Sequence, residues 1–175
     1  GSGSDLPGRT FGESDRIITQ RDLEKRIAEG LSPGSQHFLM IQCVGSREEP
    51  NNYCSRVCCQ DAVKNAIAIK EASPSAQVTV LYRDIRTYGL REDYYQRARA
   101  LGVLFVRFEP DRKPEVKVAG GRLQVDAYDY VLNREVRFSP DWVVLSTGLR
   151  PHPLTEKIGR QRSEEHTSEL QSPNT

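Results

Sequence analysis

No apolar run in this 175-residue sequence reaches the ~20 residues that a membrane-spanning helix needs, and no signal peptide opens it. We therefore expect neither membrane insertion nor export. Charge of one sign is not in excess: 25 basic and 24 acidic side chains leave a formal net charge of +1. This balance gives no indication of a nucleic acid or an anionic membrane as partner. Without an export signal, the thiols are expected to stay reduced, in the cytoplasm.

The glycine fingerprint of nucleotide-binding domains is also missing. In such domains the turn after the first strand carries G-x-G-x-x-G. Here the corresponding turn spans residues 43–46, and only Gly45 matches the pattern. This argues against a pyridine-nucleotide domain with incidental cysteines. Ferredoxin-type Cys-x-x-Cys-x-x-Cys runs are missing as well.

Cysteine is rare and is confined to one place. The only four in the sequence lie within a single window of 17 residues: Cys43, Cys54, Cys58 and Cys59. Soft ligands gathered in this way indicate that the window is the functional centre.

The order of predicted elements defines the fold class. Apolar periodicity and turn residues predict strands at 37–43, 77–82, 103–108 and 141–146 and helices at 19–30, 54–72 and 91–101, the first with Thr19 as its N-cap. Two hairpins are predicted, 115–118 with 122–125 and 128–132 with 135–138. Short β-α-β-α-β connections predict an α/β, Rossmann-like parallel sheet, followed by a small antiparallel β-meander.

The predicted elements bring the cysteines to one crevice. Cys43 ends the first parallel strand, and the other three cysteines begin the next helix, with Cys54 and Cys58 on nearly the same face. Ligands bind at this strand-to-helix edge in open α/β sheets. Four thiolates around one centre suit a [4Fe–4S] cluster. A structural zinc site, disulfides and four unrelated buried cysteines remain alternatives.

Polar residues near the cysteines suit an anionic centre. Ser46 and Ser55 are candidates to hydrogen-bond sulfur, and Arg47 and Arg56 to offset negative charge. The loop of residues 82–88 follows the second parallel strand, where nucleotide-binding folds place ribose- or phosphate-contacting side chains. A solvated, hydrogen-bonded loop is the alternative for this segment. None of the three histidines has a visible metal partner, and we expect His37, His152 and His166 to be structural.

Several segments together resemble the A subunit of heterodisulfide reductase, a family of flavin- and iron–sulfur-containing oxidoreductases. They are MIQCVGSREE, YCSRVCC, VLYRDIRTYG, REDYYQRARALGV and VVLSTG, and the resemblance runs from about residue 16 to about residue 153. It implies a thioredoxin-reductase-like architecture in which one lobe binds FAD and the lobe in the usual NADPH position carries the cluster.

The resemblance also implies roles for individual residues. Cys43, Cys54, Cys58 and Cys59 would ligate a [4Fe–4S] cluster, as metal ligands rather than nucleophiles. Thr147 and Gly148 would lie where the chain returns to the FAD lobe, near the flavin; a plain strand-ending glycine is the alternative for Gly148. No catalytic acid or base is expected. Electrons would pass between the flavin and iron–sulfur centres on partner subunits.

The same reasoning divides the chain into four parts. Residues 1–35 are expected to be a partial FAD-lobe or connector segment, 36–146 the cluster-bearing lobe, and 147–161 the return toward the FAD lobe. Residues 162–175 resemble a translated sequencing adapter and are predicted to be non-native. We therefore expect a truncated piece of an oxidoreductase that is inactive by itself, with FAD bound only in the full-length protein.

Overall fold

The computed structural model describes residues 14–87 and 92–148. These residues form eight strands and three helices. In chain order they are β1 (Ile17–Thr19), α1 (Gln20–Ala28), β2 (His37–Val44), α2 (Cys58–Ala72), β3 (Gln77–Tyr82), α3 (Glu92–Ala100), β4 (Leu104–Arg107), β5 (Glu115–Ala119), β6 (Arg122–Asp129), β7 (Arg134–Phe138) and β8 (Trp142–Thr147).

Five strands form the predicted parallel sheet, in the order β1-β8-β2-β3-β4. The central strand β2 is buried along seven of its eight residues, which explains its nearly continuous apolar sequence. His37, at its start, hydrogen-bonds the Thr79 hydroxyl across the sheet, as a structural residue would. His152 and His166 lie outside the described residues.

The sheet is covered on both faces. Alternate side chains of β2, including Phe38 and Met40, pack with α1, α2 and α3 on what we call the helix face. The residues between them, Leu39 and Ile41, pack with the antiparallel sheet β5-β6-β7 on what we call the meander face. The α/β sheet with a small antiparallel meander, predicted from the sequence, is confirmed.

The second predicted hairpin is wrong in one strand. Residues 128–132 do not form a strand of their own, because β6 continues to Asp129 and the chain then turns into β7. The Asp129 carboxylate accepts the backbone N–H groups of Val131 and Leu132, which closes the turn and ends the strand.

The amino-terminal part of the described chain belongs to the parallel sheet. β1 pairs with β8, and α1 starts with a capping box: the Thr19 hydroxyl accepts the Asp22 N–H, and the Asp22 carboxylate accepts the Thr19 N–H. The predicted N-cap is thus confirmed. None of the described helices is long and apolar enough to cross a membrane.

Candidate metal centre

The four cysteines occupy the crevice between the end of β2 and the start of α2. Cys43 lies near the end of β2, and Cys58 and Cys59 are the first residues of α2; all three are buried. Cys54 is half-buried and lies before α2, so its predicted position on the helix is wrong. The helix cannot begin earlier because Arg56 has φ +61°, outside the right-handed helical region.

A β-bulge orients the end of β2. The strand pairs with β8 as Ile41 with Leu145 and then as Val44 with Thr147, so β2 advances three residues while β8 advances two. Ile41 and Val44 both pack on the meander face. Side chains alternate between the faces of a strand, so Gln42, next to Ile41, is placed on the helix face. Cys43, next to Val44 and at the bulge with φ +60°, is placed on the helix face as well.

The backbone of the cysteine loop is unusual. Of the described residues other than glycine, only four have positive φ, and three of them are Cys43, Arg47 and Arg56. Such conformations are costly for these residue types and cluster at functional sites. Hydrogen bonds hold the loop: the Arg47 N–H reaches the carbonyls of Asn51 and Tyr53 at 2.8 and 3.1 Å.

One thiol, Cys58, interacts with the other three. The pKa of Cys58 is raised by its hydrogen bond to Cys59, by burial, and by the negative charges of Cys59, Cys43 and Cys54. The pKa of Cys59 falls to about 6, first because Cys58 donates a hydrogen bond to it. Burial raises the pKa of Cys43, and Arg47 offsets part of this rise. The structure therefore brings together all four predicted site residues.

Cationic side chains from two loops lie on one side of the thiols; we call Arg47, Arg83 and Arg86 the arginine collar. Arg47 Nη1 lies 3.9 Å from Cys43 Sγ, and Arg47 Nη2 lies 2.7 Å from Asp84 Oδ2. Arg83 donates to the Arg47 carbonyl at 3.1 Å, and Arg86 Nη2 lies 3.8 Å from Asp84 Oδ2.

Asp84 joins the collar to the vicinal cysteines. Its backbone carbonyl lies 3.6 Å from Cys59 Sγ. The hydrogen bond from Arg47 lowers the pKa of Asp84, so its carboxylate stays ionised and orients the guanidinium. The 82–87 part of the loop therefore contacts the cysteine site and is not merely solvated; residue 88 lies outside the described residues.

The thiols do not surround one ion. Within residues 14–87 and 92–148, no three His, Cys, Asp or Glu side chains are arranged to hold a single metal ion. A tetrahedral zinc site, with Zn–S bonds of about 2.3 Å, would bring its sulfurs to roughly 3.8 Å from one another.

Thr147 and Gly148, predicted from the resemblance to face a flavin, lie at the same edge of the sheet as the cysteines. Thr147 is exposed. Gly148 packs so closely on the cysteine loop that a Cβ atom there would lie 2.9 Å from Ser46 Cβ and 3.6 Å from Ser55 Oγ. Gly148 thus has a packing role against two residues that flank the cysteines.

We expect Gly148→Ala to lower the free energy of unfolding by about 1–3 kcal/mol, because buried Ser46 must move to admit the methyl group. Urea denaturation of the chain measures the effect. Combining it with Ser46→Gly should recover part of the loss in a double-mutant cycle, because the opposing Cβ is then removed. If the changes in the free energy of unfolding caused by the two substitutions simply add, the close contact is contradicted.

Two residues of the site escape prediction from the sequence. Asp84 falls in a loop whose role the sequence leaves open, and no signal ties it to Arg47. Gln42 is buried next to Cys43, but a regular strand would place Cys43 on the other side of the sheet. Only the bulge places both side chains on the helix face.

Fold and site together define a Rossmann-like α/β domain in which thiols occupy the crevice that usually binds a nucleotide. Solved structures agree on the fold. Ornithine hydroxylase from Pseudomonas aeruginosa matches with a TM-score of 0.55 and 11% identity, over 84% of this chain and 43% of that one. The FAD-bound cadaverine monooxygenase of Erwinia amylovora matches with a TM-score of 0.53 and 7% identity, over 89% of this chain and 45% of that one.

The chain belongs to the family of heterodisulfide reductase A subunits. The iron-sulfur A subunit of the CoB–CoM heterodisulfide reductase from Methanocaldococcus jannaschii is 38% identical over 168 residues, covering 86% of this chain and 25% of that protein. The A subunit of the ferredoxin:CoB–CoM heterodisulfide reductase from Methanosarcina acetivorans is 41% identical over 127 residues, covering 70% of this chain and 16% of that protein. The chain thus spans a quarter or less of these two relatives. No family model matches it.

Proposed function

We propose that this chain carries a [4Fe–4S] cluster that transfers electrons within a flavin-dependent oxidoreductase. Cys43, Cys54, Cys58 and Cys59 would hold the cluster, which when bound supplies one-electron redox chemistry. The observation that carries the proposal is the convergence of all four thiols of the chain at one edge of the parallel sheet.

The donor set supports a cluster over a single zinc ion. Four thiolates are the ligands that a cubane cluster requires. Cys58 interacts electrostatically with the other three thiols, so all four belong to one site. Zinc sites usually use two short Cys-x-x-Cys pairs, and the adjacent Cys58 and Cys59 do not form one. The name of the relative from Methanocaldococcus jannaschii, an iron-sulfur subunit, points the same way.

The residues around the thiols would stabilise an anionic centre. The arginine collar provides positive charge on one side, and its member Arg47 has a side chain only 19% exposed. The first turn of α2, which has no side-chain cap, adds the positive end of the helix dipole. These groups bind and orient the centre and limit the access of water to it.

We further propose how the chain divides into lobes, which partners it has and where it acts. Residues 36–146 would form the cluster lobe, to which β1 and α1 add an edge strand and a covering helix. The rest of 1–35 and residues 147–161 would lead to an FAD lobe, and 162–175 would be non-native. Thr147 and Gly148 would lie on the flavin side, beside the cysteine loop. Further flavin and iron–sulfur subunits would exchange electrons with the cluster, without nucleic acid and without membrane insertion, in the cytoplasm, where thiols stay reduced. FAD would bind only to a longer chain.

Anaerobic purification of the chain, followed by reconstitution with iron and sulfide, tests the proposal. We expect a brown protein that bleaches on reduction and contains about four iron and four sulfide per chain. A colourless protein that binds one zinc would overturn the proposal in favour of a zinc-stapled structural module. Zinc added in competition provides the matched control, since a cluster site should retain its visible absorbance.

A further inference from the structure

The Gln42 side chain is buried without a hydrogen-bond partner. It is 1% exposed, and neither its Nε2 nor its Oε1 atom has a partner among the described residues. It is the one described residue with such side-chain atoms. A buried polar group that is left unpaired is costly, and native structures contain few of them. Such a group implies that something polar approaches it.

The bulge in β2 shows where that partner must lie. Gln42 and Cys43 point to the same face of the sheet, the helix face, at the edge where α2 begins with Cys58 and Cys59. Gln42 is therefore next to Cys43 in the chain, buried, and on the face of the sheet where α2 begins.

Other polar side chains on this face are satisfied without Gln42. Gln20 Nε2 donates to Ser146 Oγ at 3.1 Å, and Asn65 Nδ2 donates to Gln20 Oε1 at 2.9 Å. Both bonds are buried and join three residues to one another. The neighbouring network thus does not account for the Gln42 amide.

We propose that the Gln42 carboxamide donates a hydrogen bond from its Nε2 group to a sulfur of the iron–sulfur centre. This inference rests on the proposed function. The site offers negatively charged sulfur, a hydrogen-bond acceptor, and Nε2 is an unused donor on the same face. Gln42 is a positioning residue that tunes the centre and is not one of its ligands.

The consequence is a higher reduction potential. Reduction adds negative charge to the centre, and a hydrogen bond to sulfur stabilises the more negative state. Loss of the donor should therefore shift the midpoint potential to more negative values.

Gln42→Met tests this inference, because methionine has nearly the same length and no strong donor. In the reconstituted chain we expect the reduction equilibrium to fall about tenfold, which corresponds to about 59 mV for one electron. In the chain without iron we expect a higher denaturation midpoint, since an unpaired buried amide has been removed. Redox titration followed by electron paramagnetic resonance, together with urea denaturation, measures both effects.

Two further variants separate the causes. Gln42→Leu removes both amide atoms with an apolar side chain, so its midpoint potential should equal that of Gln42→Met. Met40→Leu changes the same strand and face without a polar group, and its potential should equal that of the unchanged chain.

An unchanged midpoint potential in Gln42→Met overturns the inference. A lower denaturation midpoint of Gln42→Met without iron also overturns it, because that result would show that the amide is already paired. These outcomes differ from failure of the proposed function. If the unchanged chain takes up no iron and sulfide, the cluster itself is refuted. If the unchanged chain is brown and Gln42→Met has the same potential, only the role of Gln42 is refuted.

Discussion

Serine at position 58 should abolish the iron–sulfur centre. Cys58 is 7% exposed, it contacts Cys59 through a hydrogen bond, and the charges of the other two thiols reach it. Replacing its sulfur with oxygen removes a soft ligand at the point where the four thiols converge. We expect Cys58→Ser to lose essentially all visible absorbance and most of its iron after anaerobic reconstitution, measured against the unchanged chain.

Val57→Ser is the matched control, because it introduces the same side chain one residue earlier. Val57 is exposed and occupies the N-cap position of α2 without a capping hydrogen bond, where serine is a favoured residue. Its iron content should equal that of the unchanged chain, and its circular dichroism should match that of Cys58→Ser. If Cys58→Ser keeps its colour and iron, Cys58 is not a ligand.

Arg47→Gln should lower the reduction potential of the centre. Arg47 carries the positive charge nearest to Cys43 among the described contacts, and its partial burial limits screening by solvent. Removing that charge makes an added electron less favourable, and the freed Asp84 carboxylate adds a negative charge that Arg47 had balanced. We expect a fall of about 59 mV, a tenfold change in the one-electron equilibrium.

Two variants show whether the charge causes this shift. Arg47→Lys keeps the positive charge and should retain most of the potential. Arg97→Gln removes the same charge from an exposed ion pair with Glu71. Glu71 lies 13 residues after Cys58 along α2, which places this ion pair roughly 20 Å from the cysteines. Its potential should not change. Equal shifts in Arg47→Gln and Arg97→Gln would show that only the net charge of the chain matters.

Local patterns in the sequence are sufficient to predict most of the strands and helices of the fold. The strand Gln77–Tyr82 is predicted with its observed bounds, because an apolar run between turn residues leaves few alternatives. The capped start of α1 is also visible, since Thr19 and Asp22 act within one turn. β1 escapes prediction because three residues are too few to show a period.

The candidate site depends on contacts that local patterns do not record. The gathering of the four cysteines follows from their confinement to a strand end and a helix start. The predicted start of α2 is four residues too early, because arginine gives no signal for the positive φ of Arg56. The face of Cys43 depends on a bulge defined by pairing with β8, about a hundred residues further on.

The position of β8 has a consequence for biosynthesis. It is the last strand of the described chain, yet it lies between β1 and β2, so β1 cannot join the sheet until Thr147 has left the ribosome. At about 5–20 residues per second, the interval after β2 lasts on the order of 5–20 s. Throughout it, the cysteine loop lacks the end of β8 that packs against it at Gly148, so this side of the sulfur site stays open to oxidants and to whatever delivers metal to the nascent polypeptide.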